Sequence, residues 1–234
     1  MKRLFHVGAF MLSATLAAPA IAQDFSAGLE AFLAEDYVTA FESFEPLAEQ
    51  GNANAQTSLG FMYESGTGVP QDYGEAAKWY RLVAEQGNAD AGWRLGFMYQ
   101  NGRGVPQDYG EALKWYRLAA ELGHINAQTT LGFMYELGRG VPQDYGEAVK
   151  WYRLAAEQGN ADAQSRLGDM YRSGTGVPKD LVRAHMWLNI SSANGYKYAP
   201  EHRTEIEALM TRDKIANAQA RARVCMSSGY QDCD

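Results

Sequence analysis

The chain has no cysteine before Cys225, no concentration of Lys and Arg, and no long apolar run beyond its first residues. Each absence excludes something. A membrane-spanning helix takes about 20 apolar residues, and nothing after Ala18 approaches that length. A binder of phosphate backbones shows net positive charge or a dense basic stripe. Here the formal net charge is -7 and the basic residues are thinly spread, so nucleic acid is not an expected partner. A lipid anchor near the N-terminus lacks its cysteine.

Enzyme motifs are missing as well. There is no Gly-x-Ser-x-Gly elbow and no Ser-x-x-Lys pair, so the usual serine acyl-transfer arrangements lack their starting residues. Gly66-x-Gly68 and its copies resemble phosphate loops only in glycine content, because no Lys-Ser/Thr follows them. His124, His185 and His202 have no zinc-ligand spacing with a cysteine or carboxylate, so no metal and no cofactor are expected. His185 occupies an apolar-arc position and reads as packed core, while His124 replaces a loop Asn and reads as a helix cap.

What is present begins with an export signal. Lys2 and Arg3 precede an uncharged, largely apolar run from Leu4 to Ala18, and Ala20-Ile21-Ala22 supplies a small-x-small cleavage site. A signal peptide is expected over residues 1–22, cleaved after Ala22, giving a soluble periplasmic or secreted protein with no stable membrane insertion. Losing Lys2 and Arg3 takes the net charge from -7 to -9. In an oxidising compartment Cys225 and Cys233 are expected to be bonded, closing a short loop worth roughly 2 to 3 kcal/mol. Two free thiols on a loose tail are the other reading.

The dominant feature is repetition. Trp79, Trp115, Trp151 and Trp187 recur every 36 residues, each at the same place in a block. Leu59-Gly-Phe-Met-Tyr63 returns at Leu95 and Leu131, and as Leu167-Gly-Asp-Met-Tyr171, each time followed by Gly-x-Gly-Val-Pro. A fixed period of this length means a stacked array, since one unit cannot bury its own apolar face. Within a block, Ala55, Leu59, Met62 and Tyr63 share one side of a helical wheel and define a first helix, A. Two glycines and Val69-Pro70 end it. Asp72, with Glu75 three residues on, predicts a capping box opening a second helix, B, over about Tyr73 to Gln86. Helix B is apolar over nearly half its circumference, so it must touch two neighbours.

The blocks define the domain organisation. Residues 23–52 are a degenerate N-terminal cap whose helix B is expected to bend at Pro46. Residues 53–195 hold four repeats, and residues 196–234 hold two capping helices, about Pro200 to Met210 and Asp213 to Met226, and a tail. The fourth helix B, Leu181 to Ala193, has Arg183 where Glu147 stood.

Together Ala-x-x-x-Leu-Gly-x-Met-Tyr, Gly-x-Gly-Val-Pro-x-Asp-Tyr and Glu-Ala-x-Lys-Trp-Tyr-Arg-Leu-Ala-Ala-Glu-Gln-Gly resemble the Sel1-like repeat family, relatives of tetratricopeptide repeats. The resemblance implies an all-α, right-handed α/α superhelical solenoid with helix A lining the concave face. It also implies a role as adaptor or scaffold for protein complexes. Some cysteine-rich exported members have been associated with penicillin binding or β-lactamase-like activity. Their repeats are stapled by disulfides and these are not, so no enzyme is expected. Binding of cell-wall peptide or glycan, or a weak β-lactamase- or penicillin-binding-like activity, is the alternative.

Positions identical across the blocks should serve stacking, whereas varying positions can specify a ligand. Opposite the core of helix A lie Thr57, Phe61 and Glu64, then Trp93, Phe97 and Gln100, then Thr129, Phe133 and Glu136, then Ser165, Asp169 and Arg172. This ladder is the candidate partner-binding face, with an apolar floor and polar selectors suited to an extended peptide or a partner helix. Burial of the phenylalanines between layers is the competing expectation. Trp93, alone among Thr, Thr and Ser, is the sharpest candidate.

Overall fold

The computed structural model describes residues 25–233. Among these residues there are twelve helices and no strand: α1 (Phe25–Leu33), α2 (Tyr37–Glu49), α3 (Ala53–Ser65), α4 (Tyr73–Glu85), α5 (Ala89–Asn101), α6 (Tyr109–Glu121), α7 (Ile125–Leu137), α8 (Tyr145–Ala156), α9 (Ala161–Ser173), α10 (Leu181–Ala193), α11 (Ala199–Glu207) and α12 (Arg212–Ser227). The expected signal peptide lies outside the described residues. No helix among them is long and apolar enough to cross a membrane.

Helices α3, α5, α7 and α9 are the four helices A, and α4, α6, α8 and α10 are the helices B. Each A packs on its own B, and each B packs on the next A, so the chain forms a solenoid of tandem hairpins. Leu59, Leu95, Leu131 and Leu167 are wholly buried in the layers, as are Tyr80 and Tyr152. Gly96 is required by this packing, because a Cβ there would lie 2.7 Å from the Tyr116 ring.

Local chemistry sets the helix ends. Asn52, Asn88 and Asn160 accept the N–H three residues on, and each helix A stops at a left-handed glycine, such as Gly102 at φ 66°. The next glycine serves close approach, since a Cβ on Gly104 would stand 2.1 Å from the Tyr73 carbonyl carbon. Asp72 caps α4 by accepting from the Gly74 and Glu75 N–H groups. The reciprocal half of the expected capping box is absent. The Asp72 N–H donates to the Tyr63 carbonyl at 2.9 Å, and the Glu75 carboxylate pairs with Lys78 at 2.5 Å. Asp180 N–H donates likewise to the Tyr171 carbonyl, which explains why Arg183 can replace the glutamate.

The ends differ from the middle. α2 runs on to Glu49 with Pro46 inside it, and Phe44 takes the buried place of Tyr80. α11 is in register with the helices A, since His202 follows Arg166 by one period. α12 packs on α10 rather than continuing the alternation. Cys225 and Cys233 are joined, with Cα atoms 4.6 Å apart. His185 is wholly buried, with Nε2 2.9 Å from Glu207 Oε1, so it is core and also ties down α11.

Candidate functional site

Successive helices A meet along seams, and the seams are not alike. Where α3 meets α5, Glu64 accepts the Tyr80 hydroxyl at 2.6 Å and the Arg94 guanidinium at 2.8 Å. Where α7 meets α9, Glu136 accepts the Tyr152 hydroxyl at 2.6 Å and Arg166 at 3.2 Å. Between them, at α5/α7, the equivalent residues are Gln100, Tyr116 and Thr130. The ion-paired trio therefore alternates along the array. Burial, and then the hydrogen bond to the carboxylate, hold Tyr80 and Tyr152 well above the usual phenol range; burial alone does so for Tyr116.

Two of the polar ladder positions are thus engaged within the stack. Asp169 and Arg172 are engaged too: Asp169 Oδ2 lies 3.0 Å from His202 Nδ1, and Arg172 donates to Glu205 at 2.7 Å, both on α11. Thr57 and Thr129 return their hydroxyls to the Ala53 and Ile125 carbonyls, one helical turn back. Ser165 is only 2 % exposed, so this position belongs to the interior and leaves the ladder. Gln100 lines a cavity of about 260 Å³ with Thr129, Thr130, Phe133 and Arg166.

The aromatic positions remain at the surface. Phe61 is 41 % exposed and meets Phe32 edge-on, with ring centres 6.2 Å apart. Phe97 is half-buried beneath Arg103, and Phe133 is half-buried between Arg139 and Arg166. None of the three belongs to the buried core. Trp93 is half-buried as well and stacks on His124, the cap of the next helix A, α7, 5.3 Å between centres at 19°. His124 caps α7 through Nδ1, which accepts the Ala127 N–H at 3.1 Å, while Nε2 lies 3.0 Å from Asp90.

Trp93 and His124 are therefore a matched pair of exceptions. Elsewhere a buried glutamine, Gln56 or Gln128, links to Gln86 or Gln158 of its helix B. In the second repeat Gly92 and Leu122 stand in those places, and the aromatic stack reaches the cap of α7 instead. Arg94 and Arg166 were missed as seam residues, although the column Ser58, Arg94, Thr130, Arg166 carries the signal. Among the described residues no three His, Cys, Asp or Glu side chains converge to hold a metal ion.

The Sel1 repeat model matches residues 53–88, 89–124, 125–160 and 161–196. The crystal structure of c5321, a protective antigen present in uropathogenic Escherichia coli strains that displays an SLR fold, is similar at TM-score 0.76 and 33% identity over 89% of this chain. This chain spans 50% of that one. A Sel1 repeat protein from Oxalobacter formigenes is similar at TM-score 0.75 and 32% identity, covering 90% of this chain and 86% of its own. No curated protein matches.

Proposed function

The chain belongs to the Sel1 repeat family, and from that premise we propose that it is an exported adaptor binding another protein or peptide along the concave face of its helices A. Sel1 repeat proteins are in general scaffolds for protein–protein interaction, and generally not enzymes. The carrying observation is the row of part-exposed rings, Phe61, Phe97, Phe133 and Trp93, held in line by the stack but not consumed in its core. Rings with a solvent-facing edge supply large contact area at low entropic cost, which is how a few anchors dominate an interface. The leader-like start and the Cys225–Cys233 bond support export, since structural disulfides persist in oxidising compartments.

A photo-crosslinking residue at position 97 tests this against one at position 82, an exposed leucine on helix B. In intact cells position 97 is expected to capture a discrete protein, and Trp93→Ala to reduce the capture. Capture from position 82 alone would place the interface on the other face and end this reading. Phe97→Asp should keep the wild-type circular dichroism; if it unfolds the protein, the ring is a stacking residue.

A further inference from the structure

The seam between α1 and α3 is built from the same three positions as the ion-paired seams, with different residues. Phe44 and Ser58 stand where Tyr80 and Arg94 stand one period later, and Phe32, second to last in α1 as Glu64 is in α3, takes the place of the carboxylate; Gly28 lies against the Phe44 ring as Gly60 lies against Tyr80. No carboxylate, phenol or guanidinium fills the gap. A cavity of about 240 Å³ remains, walled by Leu29, Phe32, Phe44 and Phe61, with Thr57 and Ser58 at its side. It opens outward, since Leu29 and Phe61 keep 42% and 41% exposure. Arg94 reaches its rim, but its charge is met by Glu64 at 2.8 Å.

Apart from Arg94, which is paired with Glu64, the segment that builds this end of the array carries charge of one sign. Residues 25–77 contain nine carboxylates and no Lys, Arg or His, whereas residues 78–233 contain seventeen carboxylates and nineteen Lys and Arg. Glu30, Glu35, Asp36, Glu42, Glu45 and Glu49 are all exposed. Such a field acts over about 8–10 Å in ordinary salt and draws cations to the surface.

We propose that this slot is a subsite for a partner segment carrying one bulky apolar side chain flanked by Lys or Arg. The proposal rests on the reading that the helix-A face binds peptide. The apolar group enters the slot because Phe32 stands in the carboxylate's place, and an unpaired guanidinium buried there would lose its hydration without return. The flanking cations stay outside, facing the acidic surface.

The test is fluorescence anisotropy of a labelled Lys-Lys-Leu-Phe-Lys-Lys peptide with the purified protein. Saturable binding is expected, about tenfold weaker when salt rises from about 50 to about 500 mM. The peptides Glu-Glu-Leu-Phe-Glu-Glu and Lys-Lys-Ala-Ala-Lys-Lys should not saturate. Ser58→Leu, which plugs the slot, should weaken binding at least about tenfold with unchanged circular dichroism. Ser58→Arg, which restores the residue found at 94 and 166, should do the same. The exposed pair Glu30→Gln with Glu35→Gln should cost about threefold without touching the slot. Equal binding of the acidic peptide, or undiminished binding by both Ser58 variants, overturns the proposal. Trp93→Ala should leave this peptide untouched. Peptide binding without capture from position 97 therefore sinks the adaptor reading at the middle seam and keeps the slot; capture without peptide binding does the reverse.

Discussion

The first seam and the fourth occupy equivalent places in the stack, yet one is an open apolar slot and the other is closed by Glu136, Tyr152 and Arg166. Beneath both, the buried layer is the same, with Leu59 and Leu167 wholly enclosed. The contrast separates two tasks that the repeat performs with different residues. Leucine and glycine positions hold the layers together, while two positions on successive helices A, with the tyrosine of the helix B between them, decide whether a seam is sealed or available.

Substitutions in the shared layer should have the largest effect and should not distinguish the ends. Leu59→Ala and Leu167→Ala are each expected to cost about 2–5 kcal/mol in denaturant unfolding, because each opens a cavity. A much smaller loss at Leu59 would break the claim that both seams rest on one kind of core. Next is the terminal clasp. Replacing Cys225 and Cys233 by Ser should lower stability by roughly 2 to 3 kcal/mol. Hydrogen exchange should then quicken in α12 while α1 and α2 stay as they are.

Breaking a sealed seam should cost less. Glu136→Ala leaves the Tyr152 hydroxyl and Arg166 without their shared acceptor and is expected to cost about 1–3 kcal/mol. The Glu136→Ala, Arg166→Ala pair should fall short of the sum of the single losses, as coupled residues do. Strict additivity would mean that the ion pair contributes nothing to closure. The smallest effect is a pH dependence. Tyr80, Tyr116 and Tyr152 have folded-state values raised above the ordinary one. Their contribution is therefore complete below about pH 10 and lost as pH rises beyond it. Melting temperature should decline in that alkaline range, and less steeply when the three are changed to Phe.

Most of the fold was legible from the repeated blocks, because helix periodicity and caps are local. Alignment alone placed α10 at Leu181–Ala193, and the two final helices within a few residues. The capping box was half wrong for a reason no local pattern carries: the acceptor for Asp72 N–H is the Tyr63 carbonyl, delivered by the turn. The candidate face was less legible. Glu64 and Arg94 are 30 residues apart, and their meeting depends on how far one helix A stands from the next. Trp93 was visible as an exception, but its companion His124 was read only as a cap. The slot was hidden because α1 joins α2 through a shorter linker than the one between α3 and α4, which brings Phe32 to the place of Glu64 against the 36-residue register.

The staggered pairing of Glu64 with Arg94, and of Glu136 with Arg166, gives the chain a parity. Excising one unit, residues 89–124, would bring Glu64 opposite Thr130 and strand its carboxylate. Excising two, residues 89–160, would bring it opposite Arg166 and restore the match. The molecule can thus be shortened or extended without mismatch in steps of two blocks, so its natural increment of length is the double repeat and not the single one.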